Sequence, residues 1–155
     1  MVSIGKKVAN FSLPATGDKI VSLEDFHGAN LVVYFYPKDS TPGCTLEGQN
    51  YRDSYEEFKK SGTKVLGVSR DNLKAHENFR TKQEFPFDLL SDADETLCGQ
   101  FDVIHEKNMY GRKVMGIVRS TFLIDGDGVL QKEWRKVRVK GHVDEVLEAA
   151  RLLKK

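Results

Sequence analysis

The sequence is short of the features that usually sort a chain into a class at sight. Two cysteines in 155 residues exclude a disulfide-stapled scaffold and a multi-cysteine zinc module. Cys44 and Cys98 match no metal-ligand spacing, and no C-x-x-C pair exists. Thr41 stands where Cys44 would need a partner for one, which argues against a dithiol disulfide reductase. No stretch approaches the roughly 20 apolar residues of a membrane-spanning helix. Met1 to Phe11 carries two lysines with neither an apolar run nor a small-residue cleavage site after them, so no export signal is expected and a cytoplasmic location, with reduced thiols, is. A net charge of +1, from 24 basic and 23 acidic residues, gives no general attraction to nucleic acid or to a membrane surface. The basic clusters are Arg135–Lys140, where valines alternate with cations as on the solvated face of an edge strand, and the terminal Lys154-Lys155. There is no repeat, low-complexity tract or linker, so residues 1–155 are expected to form one domain.

Cofactor signals are equally sparse. Gly111 and Gly116 make no phosphate-binding pattern. His27, His76, His105 and His142 are scattered, and none is spaced to pair recognisably with Cys44; His142 precedes a helix and is expected to cap or pack there. Asp125-Gly126-Asp127-Gly128 lacks the later ligands and the closing Glu of a calcium loop, and reads as a hairpin turn. No metal or organic cofactor is expected.

What the chain does contain is alternating strand and helix. Phe11 to Leu23 reads as two short extended pieces around a Gly-Asp turn, with a helical turn at Ser22–Phe26. Leu31-Val32-Val33-Tyr34-Phe35-Tyr36 is continuously apolar, which predicts a strand buried on both faces, stopped by Pro37. From about Thr45 to Lys60, Tyr51, Tyr55 and Phe58 share one helical face and charges the other. Thr63–Ser69 is a second buried strand. A helix capped by Asp71 or Asn72 runs to about Glu84, and a short apolar piece follows at Phe87–Leu90. Asp92–Phe101 reads as a short helix carrying Cys98, and Lys107–Lys113 as a polar surface loop with a Gly-Arg turn near the site. Ser120–Ile124 and Val129–Val139 form a hairpin, and a helix from about Val143 closes the chain. This order predicts an α/β fold with a mixed central sheet flanked by helices.

Cys44 follows the most buried strand and opens the next helix. Ligands in α/β sheets sit beyond the carboxyl ends of the strands. Unpaired N–H groups and the helix dipole there favour an anion, hence a reactive thiolate. On these grounds alone two readings stay open: a small apolar residue closing the core, or a nucleophile.

Pro37-x-x-x-Thr41-x-x-Cys44, with Tyr34-Phe35-Tyr36-Pro37-Lys38, Thr45 and Glu47 around it, resembles the active-site signature of the peroxiredoxins, and in particular their bacterioferritin comigratory protein (peroxiredoxin Q) subfamily. Phe11-Ser12-Leu13-Pro14, Val65–Ser69, Leu89–Asp92, Gly116–Asp125 and Gly141–Leu147 match in order, so the likeness spans nearly the whole chain. The resemblance implies a thioredoxin-like fold and a thiol-dependent peroxidase acting on hydrogen peroxide and organic hydroperoxides. It implies that Cys44 attacks peroxide and becomes a sulfenic acid, that Thr41 offers its hydroxyl to a peroxide oxygen, and that Pro37 shields the thiolate. Arg119 would stabilise charge beside Cys44, and Glu47 would orient Arg119.

The resemblance fails at one place. Many members of the subfamily carry a second, resolving cysteine five residues after the first, and here that position is Gln49. Others carry it on the following long helix, here about Asn72 to Glu84, which has none. Cys98 is the remaining candidate, but Leu97 and Phe101 beside it suggest a packed thiol. The expectation is a one-cysteine cycle completed by an external thiol, whether a thioredoxin, a glutaredoxin or a small thiol, in a monomer or weak dimer. A redox sensor or holdase chaperone switched by Cys44 oxidation is the alternative.

Overall fold

The run at Leu31–Tyr36 becomes β3 (Asn30–Phe35), with all six residues buried. In the computed structural model, which describes residues 1–153, β3 pairs in parallel with β4 (Thr63–Ser69) and antiparallel with β8 (Ser120–Ile124). The sheet extends past β4 through β5 (Asp88–Ser91), β1 (Ser12–Ala15) and β2 (Lys19–Ser22), and past β8 to β9 (Leu130–Arg135). The seven strands run in the order β2-β1-β5-β4-β3-β8-β9, parallel at the centre and antiparallel at both edges. The expected α/β class with a mixed central sheet is what forms. The basic pair Lys154-Lys155 lies outside the described residues.

Because successive strand residues face opposite ways, β3 divides the interior in two. Leu31, Val33 and Phe35 enter one buried cluster; Val32 and Tyr34, with Tyr36 just beyond the strand, enter the other. The second cluster is closed by Tyr51 of α1 (Pro42–Asp53), Phe58 of α2 (Tyr55–Lys60), Phe79 of α3 (Leu73–Gln83), and Val146 and Leu147 of α5 (His142–Leu152). Cys44 belongs to this face. Cys98, on the short α4 (Thr96–Gln100), belongs to the first cluster with Leu97, Phe101, Val8 and Phe11. The two cysteines therefore pack on opposite faces of one sheet, and both are free.

Several elements depart from the expected bounds, each for a local reason. The helix expected from Thr45 starts at Pro42, whose missing N–H and fixed φ suit a first helical position. It breaks at Ser54 (φ −100°, ψ 5°), yet Tyr51 and Phe58 stay fully buried across the break. The helix expected from Asp92 begins only at Thr96, because the Asp92 carboxylate reaches forward and accepts the N–H groups of Leu97 and Cys98 at 3.0 and 2.7 Å. The basic strand expected to reach Val139 ends at Arg135, where Lys136 takes a left-handed φ of 54°. Lys107–Lys113 is no loop but the end of a hairpin, β6 (Ile104–Met109) and β7 (Arg112–Ile117). Its two turn residues, Tyr110 and Gly111, both hold positive φ (52° and 78°), as a tight hairpin turn demands. Tyrosine rarely marks such a turn, and strands exposed on most of their surface carry no apolar alternation to read.

α1 lies tight against the aromatic cluster at Gly48. A Cβ added there would stand 2.3 Å from Phe85 Cζ. That ring is stacked on Phe87 at 5.1 Å and met edge-on by Phe79 at 5.0 Å, so it has little room to yield. Gly48→Ala should therefore destabilise the fold by roughly 1–3 kcal/mol, read as a lowered urea midpoint at unchanged slope. A midpoint equal to that of the native chain would show that Phe85 is free to move.

Candidate active site

Thr41 is the N-cap of α1, and Cys44 is the third residue of the helix. The first helical hydrogen bond runs from Thr45 N–H to Thr41 C=O at 2.9 Å. The N–H groups of Gly43 and Cys44 precede it and have no partner within the helix. Cys44, 2% exposed, thus sits in a field that favours negative charge.

Arg119 comes from the turn between β7 and β8. Its Nη2 donates to Cys44 Sγ at 3.4 Å and its Nη1 donates to Glu47 Oε1 at 2.6 Å. Glu47, one helical turn after Cys44, is fully buried. Glycine at 43 lets the guanidinium lie against the helix, for a Cβ there would stand 3.1 Å from Nη2. Burial works against the charge on Arg119, but Glu47 and then Cys44 outweigh it and hold the guanidinium protonated. Burial pushes the Glu47 carboxyl from 4.5 up to about 7, with Arg119 acting in the opposite direction, and its Oε2 has no hydrogen-bond partner among the described residues. Of the residues singled out in the sequence, the fold thus brings Cys44, Glu47 and Arg119 into contact.

Thr41 and Pro37 stand close by in the chain. The Thr41 hydroxyl donates to Lys38 C=O at 2.8 Å, which leaves its oxygen lone pairs free to accept. Pro37 is half-buried where the strand gives way to the loop. Cys98 is not brought to the site. Its thiol is pushed well up, first by burial and then by Asp92, which disfavours the nucleophilic thiolate. Gln49 donates from Nε2 to Gln83 Oε1 at 2.9 Å and ties α1 to α3. His142 packs as expected, with Nε2 2.8 Å from Thr121 Oγ1 and its ring edge-on to Trp134.

Other residues near the site carry no sequence signal. Lys107 is half-buried on β6, and its ammonium is pushed down by burial and then by Arg119. Beneath the Pro37–Thr41 loop, Asp39, Asp71 and His76 bring ligand-type atoms together. This is not a ready metal site, because His76 Nδ1 and Asp39 Oδ2 already face each other at 2.6 Å and Asp71 Oδ2 already accepts from Asp39 N–H and Ser69 Oγ–H. No spacing in the sequence links these three residues.

A sequence profile of the AhpC/TSA family matches residues 4–133. The chain belongs to the AhpC/TSA family. Peroxiredoxin Bcp of Xanthomonas campestris is 55% identical over 143 residues, covering 91% of this chain and 89% of that protein. Peroxiredoxin Bcp of Bacillus subtilis is 46% identical over 147 residues, covering 95% and 94%. Among solved structures, a cysteine-to-serine variant of Xylella fastidiosa PrxQ superposes with a TM-score of 0.93 at 43% identity, covering 98% of this chain and 97% of that one. A structure of the Xanthomonas campestris bacterioferritin comigratory protein, described for its alkyl peroxide reduction activity, gives 0.88 at 53% identity, covering 92% and 90%. The chain is a peroxiredoxin of this Bcp or Q kind with the thioredoxin-like fold, and so a thiol-dependent peroxidase.

The raised Glu47 carboxyl has a consequence for stability. The folded protein holds that proton more tightly than the unfolded chain does. The stabilising contribution is therefore complete below pH 4.5 and is lost as pH rises through about 7. Glu47→Gln removes this titration. Its unfolding free energy should fall less than that of the native chain between about pH 5 and 8, by on the order of 2 kcal/mol, in urea melts across the range. Parallel curves would contradict the assignment.

Proposed function

We propose that Cys44 is the peroxide-attacking nucleophile of a one-cysteine peroxidase, and the observation that carries this reading is Arg119 donating to Cys44 Sγ while Glu47 holds its other arm. The Cys44 thiolate attacks the terminal oxygen of a hydroperoxide. An S–O bond forms, the O–O bond breaks, and the leaving oxygen departs as water or an alcohol after taking the peroxide proton. The product on the enzyme is a sulfenate, which takes a proton from solvent to become the sulfenic acid. Arg119 supplies fixed positive charge where negative charge passes from sulfur to oxygen. Thr41, its own hydrogen engaged by Lys38, accepts the peroxide O–H and aligns the attack. Pro37 shapes the loop that screens the sulfur.

Recycling is assigned to an external thiol such as a thioredoxin, a glutaredoxin or a small thiol. Its sulfur displaces water from the sulfenic acid to give a mixed disulfide, and a second thiol releases Cys44. Three observations support this: Gln49 stands at the usual resolving position, α3 carries no cysteine, and Cys98 packs on the opposite face of the sheet. The substrate class is hydrogen peroxide and organic hydroperoxides, the latter in line with the alkyl peroxide reduction of the Xanthomonas protein. Residues 1–155 act as one domain in this reading, in the cytoplasm, as a monomer or weak dimer. No helix among the described residues is long and apolar enough to cross a membrane.

Peroxide consumption driven by dithiothreitol tests the site. Cys44→Ser should abolish it, Arg119→Ala should slow it about 100-fold or more, and Cys98→Ser should leave it within about twofold. Stoichiometric oxidation of Cys44 without turnover would instead favour the sensor or holdase.

Mass spectrometry of peroxide-treated protein tests the recycling half. Oxidation should be confined to Cys44, as the sulfenic acid or its adduct with added thiol. A Cys44–Cys98 disulfide within one chain would sink the one-cysteine cycle, and one between chains would replace it with a dimer mechanism.

A further inference from the structure

The loop that carries Thr41 into position is a tight turn at Asp39 and Ser40, across which the Thr41 hydroxyl donates to Lys38 C=O. Between the end of β3 and the start of α1 it passes through Ser40, held at a left-handed φ of 63°, a conformation that an ordinary residue keeps only when its surroundings impose it. The surroundings act through Asp39, 8% exposed. Its backbone N–H donates to Asp71 Oδ2 at 2.9 Å. Its Oδ1 accepts the Tyr36 hydroxyl at 2.6 Å, and its Oδ2 faces His76 Nδ1 at 2.6 Å.

His76 is fully buried on α3, and its other nitrogen, Nε2, is 2.9 Å from Leu90 C=O. A carbonyl only accepts, so Nε2 carries a hydrogen. A proton must then also lie between Nδ1 and the Asp39 carboxyl, on one atom or the other, for a bare carboxylate against a bare ring nitrogen would leave two buried acceptors facing each other. Tyr36 is kept protonated by burial and by Asp39 itself, so its hydroxyl is a standing donor. Asp71, in turn, is tied to the ends of β4 and β5: its carboxylate accepts from Ser69 Oγ at 2.6 Å and its C=O from Ser91 Oγ at 2.7 Å. The loop is thus fastened through two carboxylates: Asp39 reaches α3 through His76, and Asp71, which accepts the Asp39 N–H, is tied to β4 and β5.

We infer that Asp39, held by His76 and Tyr36, is a positioning residue for peroxide reduction: it fixes the Ser40–Thr41 turn so that the Thr41 oxygen and the Cys44 sulfur meet the terminal O–H of the hydroperoxide together. None of the three side chains touches substrate. Their effect is on the register of the loop, so it falls on reagents that need Thr41 and Cys44 in concert and spares a reagent that needs only the sulfur.

This rests on Cys44 being the peroxide-reacting sulfur, and the experiment separates the two claims. Second-order rates of Cys44 oxidation by hydrogen peroxide and of Cys44 alkylation by iodoacetamide are measured on the full chain and on Asp39→Ala, Asp39→Asn and Tyr36→Phe. Asp39→Ala should slow the peroxide reaction roughly 10- to 100-fold while changing alkylation less than about threefold. Asp39→Asn, whose amide accepts from Tyr36 and donates to His76, should restore the peroxide rate to within about threefold. Tyr36→Phe removes one hydroxyl from an otherwise intact ring and should slow peroxide alone; it decides the matter if the alanine variant fails to fold. A peroxide rate unchanged in folded variants, or equal losses in both reactions, overturns the inference. Absence of any Cys44-dependent peroxide reaction in the native chain would overturn the underlying assignment instead.

Discussion

A guanidinium held between a sulfur and a fully buried carboxylate sets the terms for the rest of this structure. Arg119 can donate to Cys44 and to Glu47 at once only if the first turn of α1 stands beside the turn that precedes β8. That juxtaposition follows from β3 and β8 being sheet neighbours, because α1 leaves the end of β3 and Arg119 enters the start of β8. Phe35 is paired with Ser120, the residue after Arg119. Strand register therefore brings the arginine to the helix, and glycine at 43 lets it close the last ångström.

The arrangement is costly on its own. A buried carboxylate loses hydration that one ion pair repays only in part, which is why the Glu47 carboxyl is pushed up and one of its oxygens stands without a partner. Replacing Glu47 and Arg119 by apolar residues would relieve that cost, so stability alone does not account for them. An arginine whose orientation is locked beside a sulfur does, in a chain that is a thiol-dependent peroxidase. In the reaction proposed above, locking one end of the fork on Glu47 keeps the other end fixed toward Cys44 and leaves little reorganisation to the chemical step.

Much of this was legible in the sequence because it rests on local pattern. The continuous apolar run of β3 announces a central strand, and the shared face of Tyr51, Tyr55 and Phe58 announces the helix after it, which Cys44 opens. The resemblance extended this to Arg119, which lies 75 residues away and which no periodicity connects to Cys44. Where local pattern was absent, the reading failed. The β6–β7 hairpin is exposed over most of its length, so no alternation marked its strands, although the glycine of its turn was visible. α4 starts late because a single carboxylate, Asp92, reaches forward five and six residues to its backbone.

Asp39 and His76 show the limit most sharply, being 37 residues apart and joined by a parallel-strand crossover. No pattern in the sequence marks His76 as buried, yet it is fully so, with Asp39 and Leu90 C=O meeting both of its ring nitrogens. The same logic separates the cysteines. Sequence distance says nothing of whether Cys98 could reach Cys44, but alternation along β3 assigns them to opposite clusters. A disulfide between them would have to carry one sulfur around the edge or end of a seven-stranded sheet, and Cys98 would first have to leave a packed site where burial and Asp92 disfavour its thiolate. In the proposed cycle a small thiol or a partner protein arrives from solvent on the Cys44 face and needs no such detour. The shorter path belongs to the external reductant.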